Sequence, residues 1–291
     1  MLTISVPATS ANLGPGFDSI GLALDMQLTL QVLQPSDHLH IDHPFGADVP
    51  TDERNLIIKT ALHLVPDLQP QHLQMASKIP LARGLGSSST AIVAGLVLAN
   101  ELTGATRSSA ELLEVATQLE GHPDNVAPAL LGGLVVATNT DERVRAVKLP
   151  LPMLFASVYV PNEPLLTTAS RQALPTELAY HQAVTGSSVA NTLVAALATQ
   201  NWDVALPLLE QDQFHEQYRA KLVPALQTVR DHAHALGLTG TYLSGAGPTV
   251  ITLGDYGKLA TLQAQLSQDT TLTGQLFLLP MDATGVKVQK S

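Results

Sequence analysis

Apolar and polar residues alternate from Leu22 to Val32, where leucine, methionine and valine occupy every second position. A period of two sends successive side chains to opposite faces of a sheet, so this pattern predicts a half-buried strand. Shorter apolar runs predict further strands at 38–42, 72–78, 132–138 and 154–160. All but the last of these strands lie in the first half of the chain.

Three segments in the same half have helical patterns. Asn55 to Val65 carries apolar residues at helical spacing and is followed by a proline, which cannot continue a helix. Ser87 to Leu102 is apolar on nearly every side, which predicts a buried helix. Ser108 and Glu111 form an S-x-x-E capping box, which predicts the start of the next helix.

The second half has a different order of elements. Helices are predicted at 180–199 and 215–236, and strands at 239–245, 249–253 and 275–280. This order is typical of a small split βαβ sandwich, and the whole chain is predicted to be α+β. The proline-rich segment "KLPLPM" predicts a boundary near Pro152, which gives domains at 1–152 and 153–291.

Composition excludes several classes of function. The 291 residues carry a formal net charge of −10 and only 4% aromatic residues, which argues against nucleic acid as a partner. The absence of cysteine excludes disulfides and thiolate metal sites. Neither a signal peptide nor an apolar run of about 20 residues occurs. We therefore expect a cytoplasmic protein that binds no membrane.

The segment "PLARGLGSSST", from Pro80 to Thr90, has the composition of a phosphate-binding loop. Gly84 and Gly86 allow a tight turn, and the serines begin a predicted helix whose N-terminal amides attract an anion. A Walker-type loop is excluded because no lysine follows Gly86. The alternative is an ordinary glycine turn followed by a serine cap.

Three segments together resemble the GHMP kinase superfamily: "SVPATSANLGPGFDSIGLAL", the loop just described, and "LSGAGPTV". The first of them and "EGHPDNVAPALLGG" resemble the homoserine kinase family within it. The resemblance covers almost the whole chain. It implies an N-terminal domain like ribosomal protein S5 domain 2, a ferredoxin-like C-terminal domain and a homodimer. It also implies ATP-dependent phosphorylation of the L-homoserine hydroxyl, a step of threonine biosynthesis.

The resemblance further implies which residues bind ATP and its magnesium ion. The nucleotide would contact Asn55 and the loop residues Pro80, Leu81, Ala82, Arg83, Gly84, Leu85, Gly86, Ser87, Ser88, Ser89 and Thr90. Glu114 and a loop serine, taken as Ser88, would bind Mg²⁺, which prefers oxygen ligands. The alternatives are that Asn55 only caps a helix and that Glu114 is a solvated helix residue.

Homoserine carries a carboxylate, an ammonium group and a hydroxyl group, and the resemblance implies residues for each. Asn12 and Thr167 would lie near the hydroxyl, Asp18 near the ammonium group and His122 beside the substrate, while Arg171 and Arg219 would bind the carboxylate. Asp124 is a candidate general base. The alternatives are ordinary turn residues, helix caps and surface arginines.

Two other functions stay open at the level of sequence. One is another kinase of the superfamily, acting on mevalonate, a sugar or shikimate, although mevalonate and sugars do not require paired arginines together with an acid for a zwitterion. The other is a regulatory protein that binds a nucleotide or an amino acid without turnover.

Overall fold

The computed structural model describes residues 1–104, 107–141, 143–151 and 153–290. The first sheet contains strands β1 (Leu2–Ala11), β2 (Ile20–Pro35), β3 (His40–Asp42), β4 (Gln71–Ser77), β5 (Leu134–Thr140), β6 (Arg143–Leu149) and β11 (Lys287–Lys290). Its main path runs β11-β1-β2-β4-β3, and β5 joins β2 to β6. The predicted alternating strand is confirmed as the central part of β2, which is longer than predicted because it pairs with three strands.

The second sheet contains β7 (Phe155–Pro161), β8 (Thr241–Leu243), β9 (Val250–Gly254) and β10 (Gly274–Leu279), in the order β10-β7-β9-β8. All neighbouring strands in this sheet are antiparallel. Helices connect β7 to β8 and β9 to β10, which is the arrangement of a split βαβ sandwich. The predicted α+β class is therefore confirmed.

The helices of the first half are α1 (Leu56–Leu64), α2 (Ser87–Leu102), α3 (Ser109–Glu120) and α4 (Pro123–Leu131). The Asn55 side chain caps α1, and Ser108 with Glu111 forms the predicted capping box of α3. Both N-termini therefore begin where their sequence signals predicted. Helix α4 was not predicted, although Pro123 stands at its first turn, where proline is favoured.

The helices of the second half are α5 (Thr167–Gln172), α6 (Tyr180–Ala198), α7 (Trp202–Leu208), α8 (Glu216–Arg219), α9 (Ala225–Ala235) and α10 (Tyr256–Leu266). The single helix predicted at 215–236 is wrong, because it is divided into α8, a 3₁₀ turn and α9. Pro224 lies at the break, and proline has no amide to donate to the preceding turn.

The two halves meet through shared packing. Val158, Tyr242 and Ile251 of the second sheet belong to the same hydrophobic core as Ile4 and Leu24 of the first. The chain passes from β6 to β7 through 150–154, and the predicted boundary at Pro152 lies outside the described residues. Strand β11 then returns to pair with β1, so the end of the chain belongs to the first sheet.

Candidate active site

A cavity of about 390 Å³ opens between the two halves of the fold. Its wall combines the loop before α2, the turn between β1 and β2, the end of α3 and residues from the second half. The predicted site residues on this wall are Asn12, Asp18, Asn55, Leu81, Ala82, Arg83, Gly84, Gly86, Ser87, Ser88, Ser89, His122, Asp124, Thr167, Arg171 and Arg219. The structure thus brings most of the predicted residues to one cavity.

The loop before α2 needs both of its glycines. Gly84 and Gly86 have φ values of 79° and 67°, which favour glycine. A Cβ atom on Gly86 would lie 1.9 Å from Oγ1 of Thr9, and one on Gly84 would lie 2.5 Å from the carbonyl oxygen of Ser244. The close packing of this turn leaves the first amides of α2 at the cavity, where helix geometry gives them no intrahelical acceptor.

The second half of the chain holds this loop in place. Ser244 Oγ donates to the carbonyl oxygen of Gly84 (2.6 Å), and the amide of Thr249 donates to that of Arg83 (3.2 Å). The Arg83 side chain donates to the carbonyl oxygen of Pro161 at the end of β7 (3.1 Å). Arg83 therefore fastens the loop to the second sheet.

The acidic residue beside the loop serines is Glu120. Its carboxylate accepts from Ser89 Oγ (2.8 Å) and from Ser88 Oγ (3.3 Å). Glu114 lies earlier on α3 and does not line the cavity. The short link from Glu120 to His122 brings the end of α3 to the loop, whereas the predicted ligand Glu114 lies six residues before Glu120 on the same helix.

His122 and Asp124 form a close pair at the start of α4. His122 Nδ1 donates to Asp124 Oδ1 (2.5 Å), and Asp124 is only 2% exposed. Burial by itself would lower the pKa of His122, but the hydrogen bond to Asp124 and the negative charges of Asp124, Asp18 and Glu120 outweigh it and raise that pKa. The pair therefore favours a protonated imidazole.

Asn12 and Asp18 shape the turn between β1 and β2, and both have positive φ values, 73° and 53°. Asn12 Nδ2 donates to the carbonyl oxygen of Gly245 (3.0 Å), and its Oδ1 accepts from the amide of Asp18 (3.0 Å). Asp18 in turn accepts from Nη2 of Arg171 (3.2 Å). The turn between β1 and β2 is thus hydrogen-bonded to two parts of the second half, the glycine-rich segment at Gly245 and helix α5 at Arg171.

Arg219 is buried, with 2% exposure, and its guanidinium is held on several sides. Nε donates to the carbonyl oxygen of Ser170 (3.3 Å), while Nη1 donates to His215 Nδ1 (3.1 Å) and to the carbonyl oxygen of Gly245 (3.1 Å). The carbon Cζ lies 5.4 Å from the centre of the Phe17 ring. Burial, together with the charge of Arg171, lowers the pKa of Arg219 to about 10, so it stays charged at neutral pH.

His215 was not predicted as a site residue, yet it supports Arg219. Because a guanidinium can only donate, His215 Nδ1 must accept, and Nε2 therefore carries the proton and donates to the carbonyl oxygen of Gly14 (3.0 Å). Its ring also stacks on Phe17, with centroids 5.2 Å apart. The only sequence signal was its position four residues before Arg219 at the start of a helix.

Four predicted residues do not line the cavity: Pro80, Leu85, Thr90 and Glu114. Leu85 and Thr90 are buried and support the loop from behind, where Leu85 accepts from the amide of Thr9 (3.2 Å). Asn55 lies on the wall and also caps α1, so the two interpretations of this residue are compatible.

The comparisons with known proteins agree with this geometry. The family described as GHMP kinases N terminal domain matches residues 55–133, and GHMP kinases C terminal matches residues 193–270. A homoserine kinase of Lactiplantibacillus plantarum is 99% identical over 291 residues, with all of both chains covered. The chain belongs to the homoserine kinase family. It is thus a GHMP kinase, a class of ATP-dependent small-molecule kinases.

More distant homoserine kinases align along the same length. The homoserine kinase of Leuconostoc mesenteroides is 49% identical, with all of both chains covered. The solved structure of the homoserine kinase from Cytophaga hutchinsonii is 30% identical and has a TM-score of 0.87, covering 99% of this chain and 97% of that one. In the described part of the chain, no helix is both long and apolar enough to cross a membrane.

Proposed function

We propose that this chain transfers the terminal phosphate of ATP to the side-chain hydroxyl of L-homoserine and so forms O-phospho-L-homoserine. The observation that carries the proposal is the set of charges in the cavity, where Arg171, Arg219 and Asp18 line the same wall as the loop before α2. Two cations and one acid suit a zwitterionic amino acid. The relatives from Lactiplantibacillus plantarum and Leuconostoc mesenteroides are homoserine kinases, which supports the same substrate.

Two parts of the cavity suit ATP: the loop before α2 suits the phosphates, and an apolar part of the wall suits the base. The amides at the start of α2 offer donors to phosphate oxygens without a lysine. The missing Cβ atoms of Gly84 and Gly86 let the loop pack against Ser244 and Thr9, which holds these amides in position. Phe45, Leu56 and Ile57 line the cavity beside Asn55 and suit the adenine ring. We therefore place the phosphates at the loop and the base at this apolar end.

We propose Glu120 and Ser88 as the protein ligands of Mg²⁺, in place of Glu114. The Glu120 carboxylate and the Ser88 hydroxyl are hard oxygen donors that already contact each other at the start of α2. Bound there, Mg²⁺ would supply charge stabilisation for the transferred phosphate. The loop amides would orient that phosphate, and Glu120 would hold the ion beside it.

The amino acid would lie between Asp18 and the two arginines. Within the described residues, Arg219 makes three hydrogen bonds, through Nε and Nη1, so Nη2 is left for the substrate carboxylate. Arg171, which is half exposed and paired with Asp18, would exchange part of that contact for the same carboxylate. Asp18 would then accept from the substrate ammonium group, while Asn12 and Thr167 lie on the wall where the hydroxyl is expected.

We propose that Asp124 orients His122 and does not act as a strong general base. Its Oδ1 already accepts from His122, and phosphoryl transfer depends mainly on positioning and charge stabilisation. Domains at 1–152 and 153–291, a homodimer and a cytoplasmic location stay predictions.

A coupled assay of ADP release tests the proposal directly. Homoserine, mevalonate, galactose and shikimate are each offered with ATP and Mg²⁺, and the phosphorylated product is identified by mass spectrometry. We expect turnover with homoserine and rates at least about 100-fold lower with the other three, because a site built for polar groups discriminates strongly. Preference for another acceptor would assign the chain to a different substrate, and no turnover with any would favour the regulatory function.

A further inference from the structure

A group of metal-ligating side chains lies outside the cavity, on strands β3 and β4. These strands are parallel, and their register pairs His40 with His72 and Ile41 with Leu73. Ile41 and Leu73 are fully buried on the inner face. Because side chains alternate along a strand, His40, Asp42 and His72 share the outer face of this edge.

The donor atoms of these three side chains already converge. His40 Nε2 lies 3.1 Å from Asp42 Oδ1, and His72 Nε2 lies 2.7 Å from Asp42 Oδ2. All three residues can offer ligand atoms within 4.8 Å of one another. Ligands bound to one Zn²⁺ ion at about 2.0 to 2.2 Å lie roughly 3 to 3.5 Å apart, so only small side-chain rotations would be needed.

We propose that His40, Asp42 and His72 form a binding site for a divalent transition-metal ion, with Zn²⁺ as the best match. Two imidazoles and one carboxylate form a mixed nitrogen and oxygen set, which suits Zn²⁺ and its neighbours better than Mg²⁺. Water would complete the coordination, since the three residues are partly exposed. This ion is distinct from the Mg²⁺ proposed for the cavity.

A metal ion at this site would affect the loop that lines the nucleotide end of the cavity. Strand β3 is only three residues long and forms the edge of its sheet. The loop that follows Asp42 carries Phe45 and Val49, which line the cavity. An ion shared by β3 and β4 would fasten this strand to the sheet and reduce the opening of the loop.

Binding is tested with full-length, tag-free protein that has been treated with a chelator and desalted. Zn²⁺ binding is measured by calorimetry, and Co²⁺ serves as a spectroscopic probe of the ligand set. We expect one ion per chain and a loss of affinity of at least about 10-fold in His40→Gln, His72→Gln and Asp42→Asn, because each change removes or weakens a ligand. His181→Gln, a histidine on the exposed side of α6, should bind as the wild type does.

A second cluster of possible metal ligands, inside the cavity, provides the control for the location of the ion. Among the described residues, Asp18, His122 and Asp124 also have donor atoms within 4.8 Å of one another. Zn²⁺ binding that is lost in His122→Gln and kept in His72→Gln would locate the ion in the cavity and overturn the proposal. Absence of binding at 1:1 stoichiometry would mean that the cluster is only a hydrogen-bonded group, and it would overturn the proposal as well.

The effect on the loop has its own measurement. We expect Zn²⁺ to slow amide hydrogen exchange at 40–50 in the wild type and to leave it unchanged in His72→Gln. Far-ultraviolet circular dichroism confirms that each variant is folded. If Zn²⁺ binds but amide hydrogen exchange at 40–50 is not slower, the ion does not hold β3 against the sheet.

Discussion

Arg219 shows how a single buried charge can be kept ready for a ligand. Three acceptors hold Nε and Nη1, and Nη2 makes none of these bonds. Fixing the guanidinium before the substrate arrives reduces the entropy that binding would otherwise lose. The residues that fix Arg219 should therefore matter for the amino acid and not for ATP.

His215 is the most direct test of this support. Replacing it by Ala removes the acceptor for Nη1 and the donor to Gly14, so we expect the KM for homoserine to rise about 10-fold, in line with the loss of one hydrogen bond to a charged group. The KM for ATP and kcat should change less than about threefold. His215→Asn, which can still offer an acceptor to Arg219, should recover part of the loss. Equal changes in both KM values would indicate general damage to the fold.

Glu120 and Glu114 offer a comparison within one helix. Glu120→Gln removes the charge beside Ser88 and Ser89, so we expect kcat to fall on the order of 100-fold and the required Mg²⁺ concentration to rise. Glu114→Gln, which lies off the cavity wall, should change kcat less than about twofold. Steady-state kinetics across a Mg²⁺ titration measure both. A larger loss in Glu114→Gln would restore the original assignment.

The elements were predicted best where a local physical rule determined them. Strict alternation predicted β2, and cap residues predicted the starts of α1 and α3. Helix α4 and strand β1 were missed because their sequences are dominated by motif residues and not by periodicity. The single helix predicted at 215–236 was wrong because Pro224 interrupts the helical hydrogen bonds between α8 and α9.

The loop before α2 gives a prediction with a matched control. Gly86→Ala would combine a positive φ with a Cβ atom 1.9 Å from Thr9, so we expect the KM for ATP to rise at least about 10-fold. Gly104 has a similar φ of 60°, but in the described part of the chain no atom lies within 4 Å of the Cβ that Gly104→Ala would add. This change should cost only about 1 kcal/mol of stability and leave the KM for ATP unchanged. Similar effects of both changes on that KM would mean that close packing of the loop is unimportant.

Asp282 connects the C-terminal segment to the first sheet and gives a pH dependence. Burial alone would raise its pKa, but donation from the amides of Gly285 (2.7 Å) and Thr284 (2.8 Å), with help from the Thr284 hydroxyl and Lys287, lowers that pKa below 3.8. A lowered carboxyl pKa stabilises the fold above the unfolded pKa, and the contribution is lost as pH falls through the folded pKa.

Asp282→Asn should therefore lower the free energy of unfolding at pH 7 by about 1 to 3 kcal/mol. The new amide oxygen can replace Oδ1, but the amide nitrogen at the position of Oδ2 can neither accept from Gln27 Nε2 (3.0 Å) nor pair with Lys287. The difference from the wild type should shrink as pH falls below about 4. Urea unfolding at pH 3 to 7 measures it. A difference that is constant with pH would show that the charge of Asp282 does not contribute.

At the scale of the whole molecule, the two halves form one functional unit. They share a hydrophobic core, and Thr249 and Ser244 fasten the loop from the second half. The motifs predicted which segments would meet, because each has a recognisable composition. The composition of a motif does not determine how its side chains are arranged against those of another motif. The support of Arg219 by His215 and the position of Glu120 beside the loop serines could therefore not be predicted from the sequence.

The central claim is that this shared cavity binds the carboxylate of homoserine through Arg171 and Arg219. The most direct measurement is a double cycle of Arg171→Ala in the enzyme and an amidated carboxylate in homoserine, with kcat/KM determined for all four pairs. We expect each single change to lower kcat/KM about 10- to 100-fold, and the second change to add little, because it removes the partner of a contact already lost. Fully additive losses would contradict the claim, since they would mean that Arg171 does not interact with the substrate carboxylate.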